Sequence, residues 1–350
     1  MNGGQDYYVN DTDTAGDLFT TAMGNNLNSG KSPDRPMASL AALIDAYDLD
    51  AGDVVHVDNG SYAVVRNISL GSQDSGVRIE GPALGVAVLN RGNTTTGSYV
   101  IELAAADDVT ISRLTLTGAV CGVFGSSTSD SDRFTLVDSR IYSNSEYDIA
   151  LATSNDEAII SRNTVSNGTD LPCIDIHGNR SVVAENDVSG GSTGIYVSAN
   201  SVTLADQIVV SNNRVHNSRD RAIFGEGQVL IVGNTVWGQT TSTGIEVGPG
   251  SKALNNTVFD NKVGIGSSIY NTGTATIEGN RVYRNSQSGM SSIRIQQVSM
   301  ERLDTTVRID SQGSSLRTWC MRMPIQEFAW TRAGHKCSTI QCINRSEMLY

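Results

Sequence analysis

Lysine is nearly missing from this chain of 350 residues: Lys31, Lys252, Lys262 and Lys336 are all it has. Asp and Glu outnumber Lys and Arg by 37 to 25, for a formal net charge of −12. A chain of that sign lacks the basic face that nucleic acid or an anionic membrane needs, so neither is expected as a partner. No apolar run reaches the roughly 18 residues of a membrane span. The opening "MNGGQDYYVN" has neither the charged nor the apolar region of a signal peptide. Cysteine is sparse and odd in number, five in all, which does not make a disulfide framework. Ser-His-Asp triads, phosphate loops and dinucleotide motifs are missing. So are long stretches of helical period. The chain is nevertheless long enough to bury a substantial core.

What is present is a repeated phrase. "AIISRNTVSNG", "SVVAENDVSGG", "IVVSNNRVHNS", "VLIVGNTVWGQ", "SKALNNTVFDN" and "ATIEGNRVYRN" follow one another, with an Asn at 163, 186, 213, 234, 256 and 280. Two earlier copies carry Leu114 and Ser139 at that place. Each copy then adds a second short segment: "GVFGS", "DIALA", "CIDIH", "GIYVS", "AIFGE", "GIEVG", "GIGSS". A period of about two dozen residues signals a solenoid, whose units bury their apolar faces only by stacking. The segments are short, β-branched and alternate with period two, which predicts strands separated by bends. A parallel β-helix follows. Asn suits the bend because it tolerates left-handed backbone, and stacked Asn side chains can hydrogen-bond from coil to coil.

These phrases resemble the right-handed parallel β-helix repeat of the pectin-lyase-like superfamily, which includes pectate lyases, polygalacturonases, alginate lyases and mannuronan epimerases. "GNNLNSGKSPDRPMASLAALIDAYDLDAGDVVHVDNGSY" is similar to the N-terminal segment of bacterial secreted members. The fold expected is all-β, a single right-handed parallel β-helix with an N-terminal capping helix. After Pro36, Leu40, Leu43, Ile44 and Tyr47 fall on one helix face. Residues 1–52 read as the N-terminal segment and capping helix, 53–290 as the β-helix and 291–350 as a tail. The resemblance implies an extracellular or cell-surface setting and an acidic polysaccharide as partner.

The tail differs in kind. It holds two of 35 glycines but three of five cysteines and two of three tryptophans. It reads either as a cap, closed by "SSIRIQQV" and "TTVRIDS", or as a segment that has left its original reading frame. The spacing of Cys320, Cys337 and Cys342 fits no standard zinc pattern.

Aligning the inward residues Val123, Ile149, Ile174, Ile195, Ile223, Ile245 and Ile265 gives the outward columns. One column reads Phe124, Ala150, Asp175, Tyr196, Phe224, Glu246, Gly266; the next reads Ser126, Ala152, His177, Ser198, Glu226, Gly248, Ser268. Asp175 and His177 of "CIDIH" are therefore forced outward, onto the sheet that carries substrate clefts in the resembling enzymes. Removing the C5 proton of a uronic acid takes a base, a proton donor and a neutraliser of the sugar carboxylate. His177 is the expected base, Tyr196 the donor or second base, and Asp175 the residue that orients His177 or binds a cation. Arg180, Arg219 and Arg221 could hold the carboxylate, and Tyr196 and Phe224 could stack on sugar rings. Mannuronan epimerases resemble this in an Asp-Pro-His pair with a nearby Tyr; here Ile176 stands between the two. Glu226 and Glu246 could bind Ca²⁺, the one cofactor the sequence suggests. In "NDTDTAGD", Asp11, Asp13 and Gly16 fall at calcium-loop offsets, with Ala22 where the closing Glu would stand. His56 and His216 read as isolated. The rival reading is a non-catalytic β-helix, a surface adhesin or a fragment of a larger surface protein.

Overall fold

The computed structural model describes residues 4–199, 203–267 and 275–291, and further on the strands Ile295–Leu303, Phe328–Arg332 and His335–Ile340. The chain divides into two compact units, Met1–Gly191 and Ser192–Tyr350. Both are built from the same coil of three strands.

In the first unit, the first sheet takes Ile68–Gly71, Tyr99–Ala104, Cys121–Gly125, Tyr147–Leu151 and Ile174–Ile176, each parallel to the next. A second stack runs from Asp6–Val9 through Val54–Val57, Arg78–Glu80, Thr110–Ser112, Thr135–Val137 and Ile159–Ser161 to Val182–Ala184. The third runs from Gly60–Ala63 through Ala87–Asn90, Leu114–Thr117, Arg140–Tyr142 and Thr164–Asn167 to Asp187–Gly190. In the second unit the first sheet is Thr193–Ser198, Arg221–Glu226, Thr243–Val247, Val263–Ser267 and Ser288–Ser291. Its other two stacks begin at Ile208–Ser211 and Arg214–His216 and merge on the long strand Ala275–Tyr283. All of these pairings are parallel, as the repeat predicts.

Period two does the sorting. Val123, Ile149 and Ile174 in the first unit, and Ile195, Ile223, Ile245 and Ile265 in the second, are fully buried. Stacked inward at the same offset, β-branched side chains fill the coil interior and leave alternate residues outside.

The N-terminal segment does more than cap. Asp6–Val9 is already a strand of the second stack, paired with Val54–Val57. The helix Leu40–Ala46 forms where expected, with the Ser39 hydroxyl accepting from the Ala42 amide at 3.3 Å. It buries Leu40, Ala41, Leu43 and Ile44 and packs on Ile68–Gly71, the edge strand of the first sheet, so that edge is covered. Tyr47 lies one residue past the helix and donates its hydroxyl to the Ser29 carbonyl at 2.6 Å. At the other end, Ile295–Leu303 pairs in parallel with Ala275–Tyr283, so strand pairing continues past 290. "TTVRIDS" and the side chains of Cys320, Cys337 and Cys342 lie outside the described residues.

The repeated Asn residues are buried, and each unit links them directly. The Oδ1 of Asn186 accepts from both the amide and the Nδ2 of Asn163, at 2.9 and 3.1 Å. In the second unit Asn234 accepts from Asn213, Asn256 from Asn234, and Asn280 from Asn256, with the same two donors and distances of 2.8 to 3.0 Å. Each Nδ2 also donates to a carbonyl one coil back: Asn234 to Val210, Asn256 to Ile231, Asn280 to Ala253. Ser139 takes part through its own amide, which donates to Asn163 Oδ1 at 2.9 Å. A second set, unnoticed in the sequence, stands five residues on. Asn261 donates to Asn285 Oδ1 at 3.1 Å, and Asn144 accepts from the Ala119 amide at 3.1 Å.

One expectation is corrected. The stacked Asn is not the left-handed residue; its predecessor is. Arg113, Asp138, Arg162, Glu185, Asn212 and Asn255 have φ of 53° to 59°, with Gly233 and Gly279 at 69° and 67°. The reason is a division of labour at the bend. The inward Asn spends its amide on the neighbouring coil, while the residue before it turns the chain and projects outward. At Gly279 a Cβ would come within 2.1 Å of Asn255 Oδ1, so any other residue there needs the Asn255 side chain to move as well as a left-handed backbone. The prediction is that Asn213→Ala costs about 2 kcal/mol, because the buried Asn234 Oδ1 loses the Asn213 Nδ2 donor. Asn212→Gly, one residue earlier, is expected to be neutral or stabilising within about 1 kcal/mol. Urea denaturation of the two variants checks the contrast.

Candidate functional site

Asp175 and His177 belong to the first unit. Ile174 and Ile176 pair with Ile149 and Leu151, which fixes Asp175 outward, opposite the small Ala150. The His177 amide donates to the Leu151 carbonyl at 2.9 Å. Two residues on, the Asn179 amide donates to Asp156 Oδ1 at 2.7 Å, which ties the following bend to the neighbouring coil. The imidazole Nε2 stands 2.9 Å from Asp175 Oδ1, with 27% of the His and 14% of the Asp side chain exposed. Both side chains are half-buried and face outward, the placement that the alternation of the strand predicts.

Arg180 follows at the bend, with φ of 58°. Its Nε lies 2.9 Å from Glu157 and its terminal nitrogen 3.5 Å from Asp156. This is one of a series. Asp108, Arg133, Glu157 and Arg180 all have φ of 57° to 60° at successive bends, and Arg133 lies 2.6 Å from Asp108. Arg162 pairs in the same manner with Asp138 at 2.8 Å. The side-chain hydrogen bond from Arg162 is the main cause that holds the Asp138 carboxyl below its usual range. Arg180 therefore sits in a coil-to-coil ion pair, a role the sequence reading missed. The signal was legible: acid and base alternate at that offset.

Tyr196, Arg219, Arg221, Phe224, Glu226 and Glu246 belong to the second unit. The register is as aligned: Tyr196 opposes Phe224, Phe224 opposes Glu246, and Ser198 opposes Glu226. Tyr196 donates its hydroxyl to Glu226 Oε2 at 2.9 Å. Its ring stacks on Phe224 with centroids 5.2 Å apart and planes 20° from parallel. The Arg221 guanidinium lies over the Phe224 ring, 4.8 Å from the centroid. Arg221 is paired with Glu246, and with Asp220 at 2.7 Å. Arg219 is exposed, and its carbonyl accepts from the Thr241 hydroxyl. Gly248 follows on the next coil, and Ser268 lies outside the described residues.

Neither His56 nor His216 is isolated. His56 Nε2 is 2.9 Å from Asp6 and Nδ1 is 3.1 Å from Glu80, between the rings of Tyr8 and Phe19. His216 stacks on Trp237 at 4.5 Å. Parallel register is the cause: it brings equal offsets of neighbouring coils into contact. Asp11 and Asp13 spend their carboxylates on nearby amides, Asp11 on Asp13 and Ser61, Asp13 on Thr14 and Ala15.

For Ca²⁺ the donor set falls short. Among the described residues no group of three or more His, Cys, Asp or Glu side chains is arranged to hold a metal ion. Glu226 and Glu246 already hold Tyr196 and Arg221, and two carboxylates are few against the roughly six to eight oxygens of a calcium site.

A family model for the right handed beta helix region matches residues 99–226 and 173–294. No curated protein matches the chain. Among solved structures, pectate lyase Pel9A is similar with a TM-score of 0.56 and 15% identity, over 89% of this chain and 80% of that one. XylC in complex with xylose gives 0.55 and 9%, over 86% and 69%. The A-module of the mannuronan C-5 epimerase AlgE4 from Azotobacter vinelandii gives 0.50 and 15%, over 89% and 100%. Identities this low speak for the fold alone.

Arg221→Gln releases Glu246 from its strongest partner. Calorimetric titration is expected to show tighter Ca²⁺ binding in that variant than in the intact protein. Equal binding in both places any bound ion away from Glu246.

Proposed function

The chain belongs to the right-handed β-helix family, and on that premise we propose that it acts on uronate-bearing polysaccharides from the outward face of its first sheet, as a lyase or C5-epimerase. Pectate and mannuronan, named in two proteins of similar fold, are both polymers of uronic acids. The observation that carries the reading is the Tyr196–Glu226 hydrogen bond of 2.9 Å, with Arg221 beside it on Phe224. A phenol held by a carboxylate is a proton donor whose lost proton can be restored. The Arg221 guanidinium over Phe224 supplies the positive charge that an enolate and its carboxylate need. Arg221 would exchange Glu246 for the sugar carboxylate.

The first unit carries a separate candidate, His177 beside the Asp175 carboxylate, proposed as a base with Asp175 to orient it and independent of the Tyr196 cluster. Loss of the C5 proton gives an enolate. A lyase then breaks the C4–O4 bond as O4 takes a proton; an epimerase returns a proton to C5 from the opposite face. An extracellular or cell-surface setting fits such a substrate.

A second reading has an observation of its own. Arg180 and Arg221 are each neutralised by two carboxylates, as a purely structural face would have them. On that reading the protein is a non-catalytic surface β-helix.

Loss of the C5 proton in D₂O, followed by NMR over a panel of acidic polysaccharides, separates the two readings, because lyase and epimerase share that step: an epimerase refills C5 with deuterium, and a lyase leaves C5 without hydrogen in a C4–C5 double bond. Tyr196→Phe is expected to slow it by about 10²-fold or more, and His177→Ala tests the first-unit pair by itself. No loss or exchange of the C5 proton on any polymer, or an unchanged rate in the double variant, contradicts the proposal.

A further inference from the structure

On another face of the second unit, four rings form a continuous stripe. Parallel register aligns His216, Trp237, Phe259 and Tyr283 as the last outward residues of successive strands. Their centroids are 4.5, 5.9 and 5.2 Å apart, and their planes lie within 13° of parallel. Three arginines lie over the rings. Arg214 is 5.2 Å from Trp237, Arg281 is 4.8 Å from Tyr283, and Arg284 is 5.5 and 5.2 Å from Phe259 and Tyr283. All four rings are half-buried, not covered.

Coil packing does not call for these residues. In the first unit the same column reads Ala63, Asn90, Thr117, Tyr142, Ser166 and Ser189, mostly small polar side chains. A solenoid of this design stacks without the rings, so their exposure marks an interaction surface.

The geometry also says what kind. Each ring face lies on its neighbour, so what the stripe presents is ring edges. An aromatic edge carries the positive end of the ring quadrupole. The edges, the indole N–H of Trp237 and the guanidinium N–H groups of Arg214 and Arg281 are electropositive or donors, while Arg284 is paired with Asp260 at 2.6 Å. In a protein of net charge −12, this strip is selective for anions. Its repeat is the coil spacing of about 4.8 Å, so it favours a ligand whose charge recurs along a line.

We propose that the stripe His216–Trp237–Phe259–Tyr283, with Arg214 and Arg281, is a binding surface for a linear anionic polysaccharide, separate from the first-sheet face. The choice of a uronate polymer as occupant rests on the function proposed above. The polymer lies across the ring edges with its carboxylates on the guanidinium groups.

Trp237 serves as reporter. The full chain is titrated with polygalacturonate and its tryptophan emission followed, with Trp237→Phe as the blank for Trp319 and Trp330. The expected result is an emission change that vanishes in Trp237→Phe and weakens as salt rises. Arg214→Gln/Arg281→Gln is expected to bind roughly tenfold more weakly. Tyr196→Phe/Arg221→Gln is expected to keep the signal. Dextran, a neutral polymer, is expected to give none. No change attributable to Trp237, unchanged affinity in the double arginine variant, or an equal response to dextran overturns the proposal. A concentration-dependent emission change without polymer would assign the stripe to a second copy of the chain, and overturns it as well. The two proposals fail separately. Exchange at C5 without a Trp237 response leaves the enzymatic reading standing and removes the stripe, and the converse result does the reverse.

Discussion

A buried amide that donates to one coil and accepts from another is the constraint on which this structure turns. Asn213, Asn234, Asn256 and Asn280 are almost wholly shielded from water, and an unpaired amide there costs the full price of desolvation. Their partners exist only if each coil sits in one register on the next. A slip of a single residue would orphan the whole set and turn every isoleucine of the first sheet outward. Hydrophobic burial drives the coils together; the amides decide where they stop.

Once register is fixed, chemistry is arranged in columns. Whatever stands at one offset in one coil touches the same offset in the next, at about 4.8 Å. Alternating charge at the bends gives the series of left-handed residues Asp108, Arg133, Glu157 and Arg180. Aromatic residues at one offset give the ring stripe of the second unit. Tyr196 and Phe224 over Glu246 give the first-sheet cluster. One rule generates both structural and candidate functional groupings, which is why a column alone does not tell the two apart. The contrast between units does help: small polar residues fill in the first unit the place that rings fill in the second.

Much of this was legible in advance. The repeated Asn and the alternating isoleucines were enough to place Asp175 and His177 outward and to set Tyr196 opposite Phe224. What the sequence hid was the partner of each polar group. Arg180 reads as a free cation until Glu157 is seen beside it, and Arg221 until Glu246 is. His216 reads as isolated because its neighbours are about twenty residues away. The coil lengths between them vary, so the eye does not align Trp237, Phe259 and Tyr283 with it. The left-handed residue was misassigned by one because the Asn, conspicuous in the repeat, drew the role that its variable predecessor performs.

The most direct measurement of this account is a double-mutant cycle on Asn234 and Asn256, read by urea denaturation. Asn256 Oδ1 accepts from the backbone amide and from the Nδ2 of Asn234, at 2.9 and 3.0 Å, and the Nδ2 bond is lost in either alanine variant. The account predicts a coupling energy of about 1 kcal/mol or more between them. Strict additivity would contradict it, because the amides would then not be fixing the register from which every column in the molecule follows.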